Sequence, residues 1–260
     1  MTAPNTARTR RERRMEERLA RRDQPRPRRS QEKRRISLGM LSLVAVVGGL
    51  IVIAVAIALG GGDKAPPAST LQVATATVPG DIPTEGFVLG NAAAPVTVDI
   101  YEDFQCPACE SWGEGVFPRL AENELRAGTA KLVFHTMAFI GQESIDAGKA
   151  AYAAGQQGRF WDMWATIYAN QGRENSGAFA RDRLVAMAER LGLDVAKFQA
   201  DMDSAEATAS LAESESAAVA AGVSSTPTLV IAGQSFVGVK PYPDIAAAIA
   251  AAAAASGAAR

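Results

Sequence analysis

The stretch VTVDIYEDF (96–104) is followed, after Gln105, by the only two cysteines of the chain, Cys106 and Cys109. The stretch is β-branched and aromatic, and it reads as a strand. Pro107 suits the first turn of a helix, so Pro107 to about Arg126 reads as a helix that starts where the strand stops. The whole thiol inventory, Cys106-Pro107-Ala108-Cys109, therefore sits at a strand-to-helix junction. Two cysteines and one histidine among 260 residues exclude a disulfide-rich scaffold and a Cys/His zinc finger.

Beyond this junction KLVFHTMAF (131–139) reads as a second strand. Residues 142–222 are helical in pattern. Within GRFWDMWATIYANQ, Phe160, Trp161, Trp164, Ile167 and Tyr168 fall on one helical face. Arg181–Leu193 reads as a helix ended by Gly192. TPTLVIAG (226–233) and QSFVGVK (234–240) suggest a hairpin about an Ala-Gly turn. The Ala-rich run 246–254 reads as a closing helix. The order predicts an α/β domain over 81–258 with a helical insertion at about 141–222.

What precedes this domain differs in kind. Residues 1–36 carry 14 of the 27 Lys and Arg and 5 of the 28 Asp and Glu, leaving 13 basic and 23 acidic residues for the rest. Residues 1–35 read as a basic, disordered tail. Ile36 to Leu59 hold no charged side chain, and 24 helical positions span ~36 Å against a ~30 Å hydrocarbon core. This reads as one transmembrane helix with the N-terminus cytoplasmic and the domain extracytoplasmic. A cleaved signal peptide is the competing reading, but its apolar region is usually shorter, ~7–15 residues. Residues 60–80 read as a flexible linker. Nucleic-acid binding by the Arg-rich tail is a weaker reading than a topogenic one that also touches anionic headgroups.

Cys106 at a helix start faces free N–H groups and the positive end of the helix dipole, which favour its thiolate. Cys109 lies one turn later on the same side. Cys106 is then the exposed nucleophile and Cys109 the more buried resolving thiol of a thiol–disulfide couple. Pro107 stiffens the turn and leaves no N–H unsatisfied. Two plainer readings compete: half of a zinc site completed by His135 and a carboxylate, and a structural disulfide, whose short loop removes little chain entropy.

YEDFQCPAC at the junction resembles the DsbA-like branch of the thioredoxin superfamily. GKAAYAAGQQGRFWDMWATIYANQ resembles that branch's inserted helical subdomain, GVSSTPTLVIAG its cis-proline loop, and LGNAAAPVTVDIYEDF its opening strand. The resemblance covers roughly residues 85–250. It implies a thioredoxin-like fold with an inserted helical subdomain and thiol–disulfide exchange with protein substrates. Cys106 is then the nucleophile, Cys109 the resolving cysteine and Pro227 the cis-proline. Thr226 pairs its backbone with the substrate, beside Pro107 and Ala108.

The chain departs from the family pattern twice. Ala108 stands where many members have a thiolate-stabilising histidine, which predicts a less depressed pKa for Cys106. Ile100 stands where many have a buried acid. Glu102, two residues on along the same strand face, is a candidate proton acceptor for Cys109, with an exposed strand-end carboxylate as the alternative. Asp99 lies on the opposite face. Trp112, three residues past Cys109, shields the disulfide or packs against the helical block. Trp161 and Trp164 read as helical core. His135 reads as a packed strand residue ahead of a general base.

On the family's pattern the chain is expected to be an extracytoplasmic oxidase that donates its disulfide to exported proteins. A membrane redox partner reoxidises it, and no metal or cofactor is implied. Reductase and isomerase are the same chemistry run differently, since direction is set by potential. A membrane redox sensor or adaptor signalling to the basic tail is the alternative from another class.

Overall fold

The computed structural model describes residues 70–74 and 79–258. The basic tail, the apolar span at 36–59 and most of the linker lie outside the described residues. No helix among the described residues is long and apolar enough to cross a membrane.

Six strands form one sheet. They are β1 (Thr84–Glu85), β2 (Val88–Leu89), β3 (Val96–Glu102), β4 (Ala130–Thr136), β5 (Thr228–Ile231) and β6 (Gln234–Val237). Their order across the sheet is β1-β2-β4-β3-β5-β6, so β3 and β4 are central. β3 and β4 run parallel, with Val96 opposite Ala130 and Glu102 opposite Thr136. The β2–β4, β3–β5 and β5–β6 pairs are antiparallel. A parallel pair needs a crossover, and α1 (Pro107–Gly115) and α2 (Phe117–Leu120) supply it. The short β1 and β2 have no signature in the sequence pattern.

The helix expected from Pro107 to Arg126 is broken. Pro118 has no N–H to continue the ladder, so α1 ends at Gly115, and α2 runs into a π turn at Ala121–Leu125. The strand read as 96–104 stops at Glu102 because Asp103 closes a side-chain turn, its Oδ1 accepting from Gln105 N at 2.8 Å. The strand read as 131–139 stops at Thr136, and the N–H groups of Phe139 and Ile140 turn to Asp103 Oδ2 at 3.0 and 3.1 Å. The hairpin turn is made by Ala232 and Gly233 at φ 49° and 81°, the paired left-handed geometry that suits a twisted two-residue turn.

Between β4 and β5 stand five helices: α3 (Gln142–Gly155), α4 (Phe160–Tyr168), α5 (Arg181–Arg190), α6 (Val195–Met202) and α7 (Ala205–Ala220). Asp194 and Ser204 cap α6 and α7, accepting from Lys197 N and Ala207 N. The α3 side facing the core is built of alanines, so its neighbours approach closely. At Gly148 of α3 a Cβ would lie 2.8 Å from both Thr136 Cγ2 and Leu211 Cδ2. The closing helix α8 (Tyr242–Ala258) buries Ile245 and Ile249 in the main core with Val98, Ile100, Leu229 and Ile231.

Aromatic packing joins α4 to the sheet and its crossover. Phe117 meets Trp164 at 4.9 Å between ring centroids, and Phe134 meets Phe160 at 5.3 Å. Burying such a side chain contributes about 1.5–3 kcal/mol, so the insertion and the sheet share one core. On the opposite sheet face Tyr101 packs with Ala218 and Val223. Residues 70–74, read from sequence as part of a flexible linker, are docked. Leu71 is buried, and Gln72 and Asn170 exchange hydrogen bonds of 2.8 and 2.6 Å.

Candidate active site

Cys106 is the N-cap residue of α1, with extended backbone (φ −76°, ψ 117°) and Pro107 following. No side chain caps α1, so the Ala108 N–H is left for the sulfur, and the Cys109 N–H, which donates to Cys106 O at 3.0 Å, also faces it. The turn that delivers Cys106 is fixed by its own N–H donating to Asp103 O at 2.9 Å. The Thr226–Pro227 bond is cis, and the Thr226 carbonyl oxygen lies 3.6 Å from Cys106 Sγ.

The two thiols are free and differ sharply. Cys106 is pushed down to about 5. The Cys109 thiol donating to it does most, burial opposes, and the Thr226 side chain and the N–H groups of Cys109 and Ala108 add to the lowering. Cys109 moves the opposite way. Burial drives it far above the ordinary thiol value, and its bond to Cys106 and the charge of Glu102 push in the same direction. At neutral pH one thiolate and one thiol therefore share the site. Ala108 supplies no histidine donor, yet the helix start and Thr226 still depress Cys106. The nucleophile read from sequence as exposed is 9% exposed, because the Thr226–Pro227 loop covers it, while Cys109 is at 0%.

Glu102 is not the exposed strand-end carboxylate of the alternative reading. It is fully buried, because α4 closes over the end of β3. Its Oε2 accepts from Trp164 Nε1 at 3.0 Å and Tyr168 Oη at 2.9 Å, and its Oε1 has no partner. Burial pushes Glu102 up to about 8, the bonds from Trp164 and Tyr168 pull down, and Cys106 pushes up again.

The structure thus brings Cys106, Cys109, Thr226, Pro227 and Glu102 together. Pro107 is exposed and Ala108 half-buried at the head of α1. Trp112 is buried, its ring 5.7 Å from Phe117 and its Nε1 unpartnered. His135 is elsewhere, bonded to Asp99 Oδ1 at 2.8 Å and stacked on Tyr101. No group of three or more His, Cys, Asp or Glu among the described residues could hold a metal ion.

Sequence reasoning missed Gln171. Its Nε2 donates to Phe104 O at 2.8 Å and Cys106 O at 3.1 Å, tying the insertion to the cysteine loop. It also missed the polar atoms of Trp164 and Tyr168, since a helical periodicity shows which residues are buried and not what their polar atoms meet. Asp103 did carry a signal, an Asp two residues before a turn N–H.

Residues 83–251 match the family described as Thioredoxin. The chain belongs to the thioredoxin family. Within that family it is a DsbA-like thiol–disulfide oxidoreductase. It is 32% identical over 150 residues to a probable disulfide bond formation protein D of Bacillus cereus, covering 56% of this chain and 69% of that protein. A thioredoxin-like oxidoreductase from Silicibacter pomeroyi superposes with a TM-score of 0.56 at 26% identity, covering 69% of this chain and 98% of the other. Oxidised BdbD from Bacillus subtilis shares the fold, with a TM-score of 0.60 at 20% identity over 65% of this chain and 92% of the other. The thioredoxin-like α/β reading of the sequence holds.

Proposed function

We propose that the chain is an extracytoplasmic disulfide donor that acts on exported proteins through the Cys106–Cys109 pair. The observation that carries this is the seat of Cys106 at the start of α1, its Sγ 3.6 Å from the Thr226 carbonyl before cis-Pro227 and Cys109 buried behind it, a setting that lowers the Cys106 pKa and raises that of Cys109. A stabilised thiolate favours the reduced form, which makes the disulfide the better oxidant.

The oxidised protein starts the cycle. A substrate thiolate attacks Cys106 Sγ, the Cys106–Cys109 bond breaks, and Cys109 leaves with the electron pair. Cys109 holds a proton tightly, and Glu102, protonated below about 8, supplies it. A second substrate thiolate then attacks the substrate sulfur of the mixed disulfide and expels Cys106 as its stabilised thiolate. The substrate dithiol has lost two electrons and the cysteine pair has gained them. Reoxidation reverses the proton transfer: Glu102 accepts the Cys109 proton while a membrane redox partner takes the electrons.

Thr226 and Pro227 present backbone to the substrate segment beside Cys106, and Pro107 and Ala108 form the opposite lip. Trp112, one turn past Cys109, is buried against Phe117. The span at 36–59 anchors the domain in the bilayer with the basic tail cytoplasmic.

The test is the reduction potential of the full chain in glutathione buffers, read by Trp fluorescence. A value of about −120 to −180 mV supports a disulfide donor, and about −270 mV or below reverses the direction to a reductant.

A further inference from the structure

Cys106, Glu110, Gly113 and Glu114 follow one another along a single face of α1. Beside that face opens a cleft of about 370 Å³, with Glu110, Gly113 and Glu114 on one wall and Trp164, Tyr168 and Ala169 on the other. Gly113 makes the room, since a Cβ there would meet Trp164 Cη2 at 3.3 Å. The rings of Trp164 and Tyr168, 1% and 6% exposed, only back the cleft, and the exposed Pro118 and Ala169 supply its apolar surface. Two residues past Ala169, Gln171 bonds to the Cys106 carbonyl, which puts one end of the cleft beside the cysteine.

Neither Glu110 nor Glu114 has a hydrogen-bonding or ion-pairing side-chain partner among the described residues. Glu110 is half-buried, and desolvation and then Glu114 raise its pKa. An apolar floor beside two uncompensated carboxylates suits a long side chain with an apolar stem and a cationic head.

We propose that this cleft is a subsite for a Lys or Arg side chain of the protein substrate, its stem on Pro118 and Ala169 and its charge between Glu110 and Glu114. Glu110 and Glu114 lie about 6 and 12 Å along the helix from Cys106, which an extended substrate covers in about two to four residues. The subsite thus selects cysteines with a basic neighbour two to four positions away, and it rests on Cys106 being the residue attacked.

The test uses the oxidised full chain and peptides with one Cys and either Lys, Arg, Ala, Phe or Glu three positions to either side. The rate of disulfide reduction is read by Trp fluorescence. Each rate is divided by the same peptide's rate with a small-molecule disulfide, which removes the effect of neighbouring charge on the peptide thiol. Lys and Arg peptides are expected to react about two- to five-fold faster than the Ala peptide on one side of the cysteine. The advantage shrinks with added salt, and in the Glu110→Gln/Glu114→Gln double variant the Lys-to-Ala ratio falls to about one, whatever happens to the Ala rate.

A ratio near one in the native chain, or one that the double variant leaves unchanged, overturns the subsite alone. A Phe peptide faster than Lys overturns the cationic occupant. Failure of every peptide to reduce the disulfide overturns the redox reading, and the subsite with it.

Discussion

Trp164 Nε1 donates to Glu102 Oε2 across 3.0 Å, joining the inserted helix α4 to the last residue of the central strand β3. The bond lies in a fully buried setting, where its worth depends on the carboxyl it serves. It partly compensates one oxygen of Glu102 and leaves the other without a partner. A carboxyl so placed resists ionisation and can still exchange a proton with its surroundings.

Glu102→Gln removes that proton relay while keeping the side chain's shape and an oxygen that accepts from Trp164 and Tyr168. Exchange is expected to slow by about a hundred-fold, the lower end for a lost acid–base group. Stopped-flow rates with a dithiol peptide check it, and rates equal to those of the native chain would remove Glu102 from the mechanism.

The same group sets a stability trend. Its folded pKa is raised from 4.5 to about 8, so its contribution is whole below pH 4.5 and is lost as pH rises through 8. The Cys106→Ser variant, which removes the competing thiolate, is therefore expected to lose stability between about pH 4.5 and 8. Urea denaturation at a series of pH values reads this directly.

Cys106 works with the opposite sign. Its folded pKa is lowered from 9.0 to about 5, so its stabilisation is whole above pH 9 and is lost as pH falls through 5. In reduced Glu102→Gln protein, stability is expected to rise with pH across this window, by roughly 2 kcal/mol between pH 5 and pH 7. A flat profile would mean that the thiolate is not stabilised by the fold.

Gln171→Leu strips the amide donors from Phe104 O and Cys106 O. Leaving such carbonyls unpaired costs about 1–3 kcal/mol. The expected result is a matching fall in the free energy of urea unfolding, and an unchanged midpoint would show that the loop holds without the clamp.

Gly148→Ala places a methyl 2.8 Å from the buried Thr136 and from the tip of the half-buried Leu211. Overpacking of this kind costs about 1–3 kcal/mol, and a thermal midpoint equal to the native one would show that α3 can shift away from α7.

The sequence by itself determined the strand-to-helix junction, because β-branched residues, a proline and two cysteines three apart are local signals. It also determined the helical character of the insertion, the Ala-Gly hairpin and the closing helix. The broken helix at Pro118 was legible in principle, since a missing N–H acts within its own turn. Only the tertiary structure decided what surrounds the sulfurs and Glu102. Thr226 reaches Cys106 across 120 positions, and Trp164 and Tyr168 reach Glu102 across 62 and 66. Burial and hydrogen bonding from such distant partners shift a pKa without leaving any pattern near the residue they act on. That is why Glu102 read equally well as exposed or buried until α4 was seen to close over it.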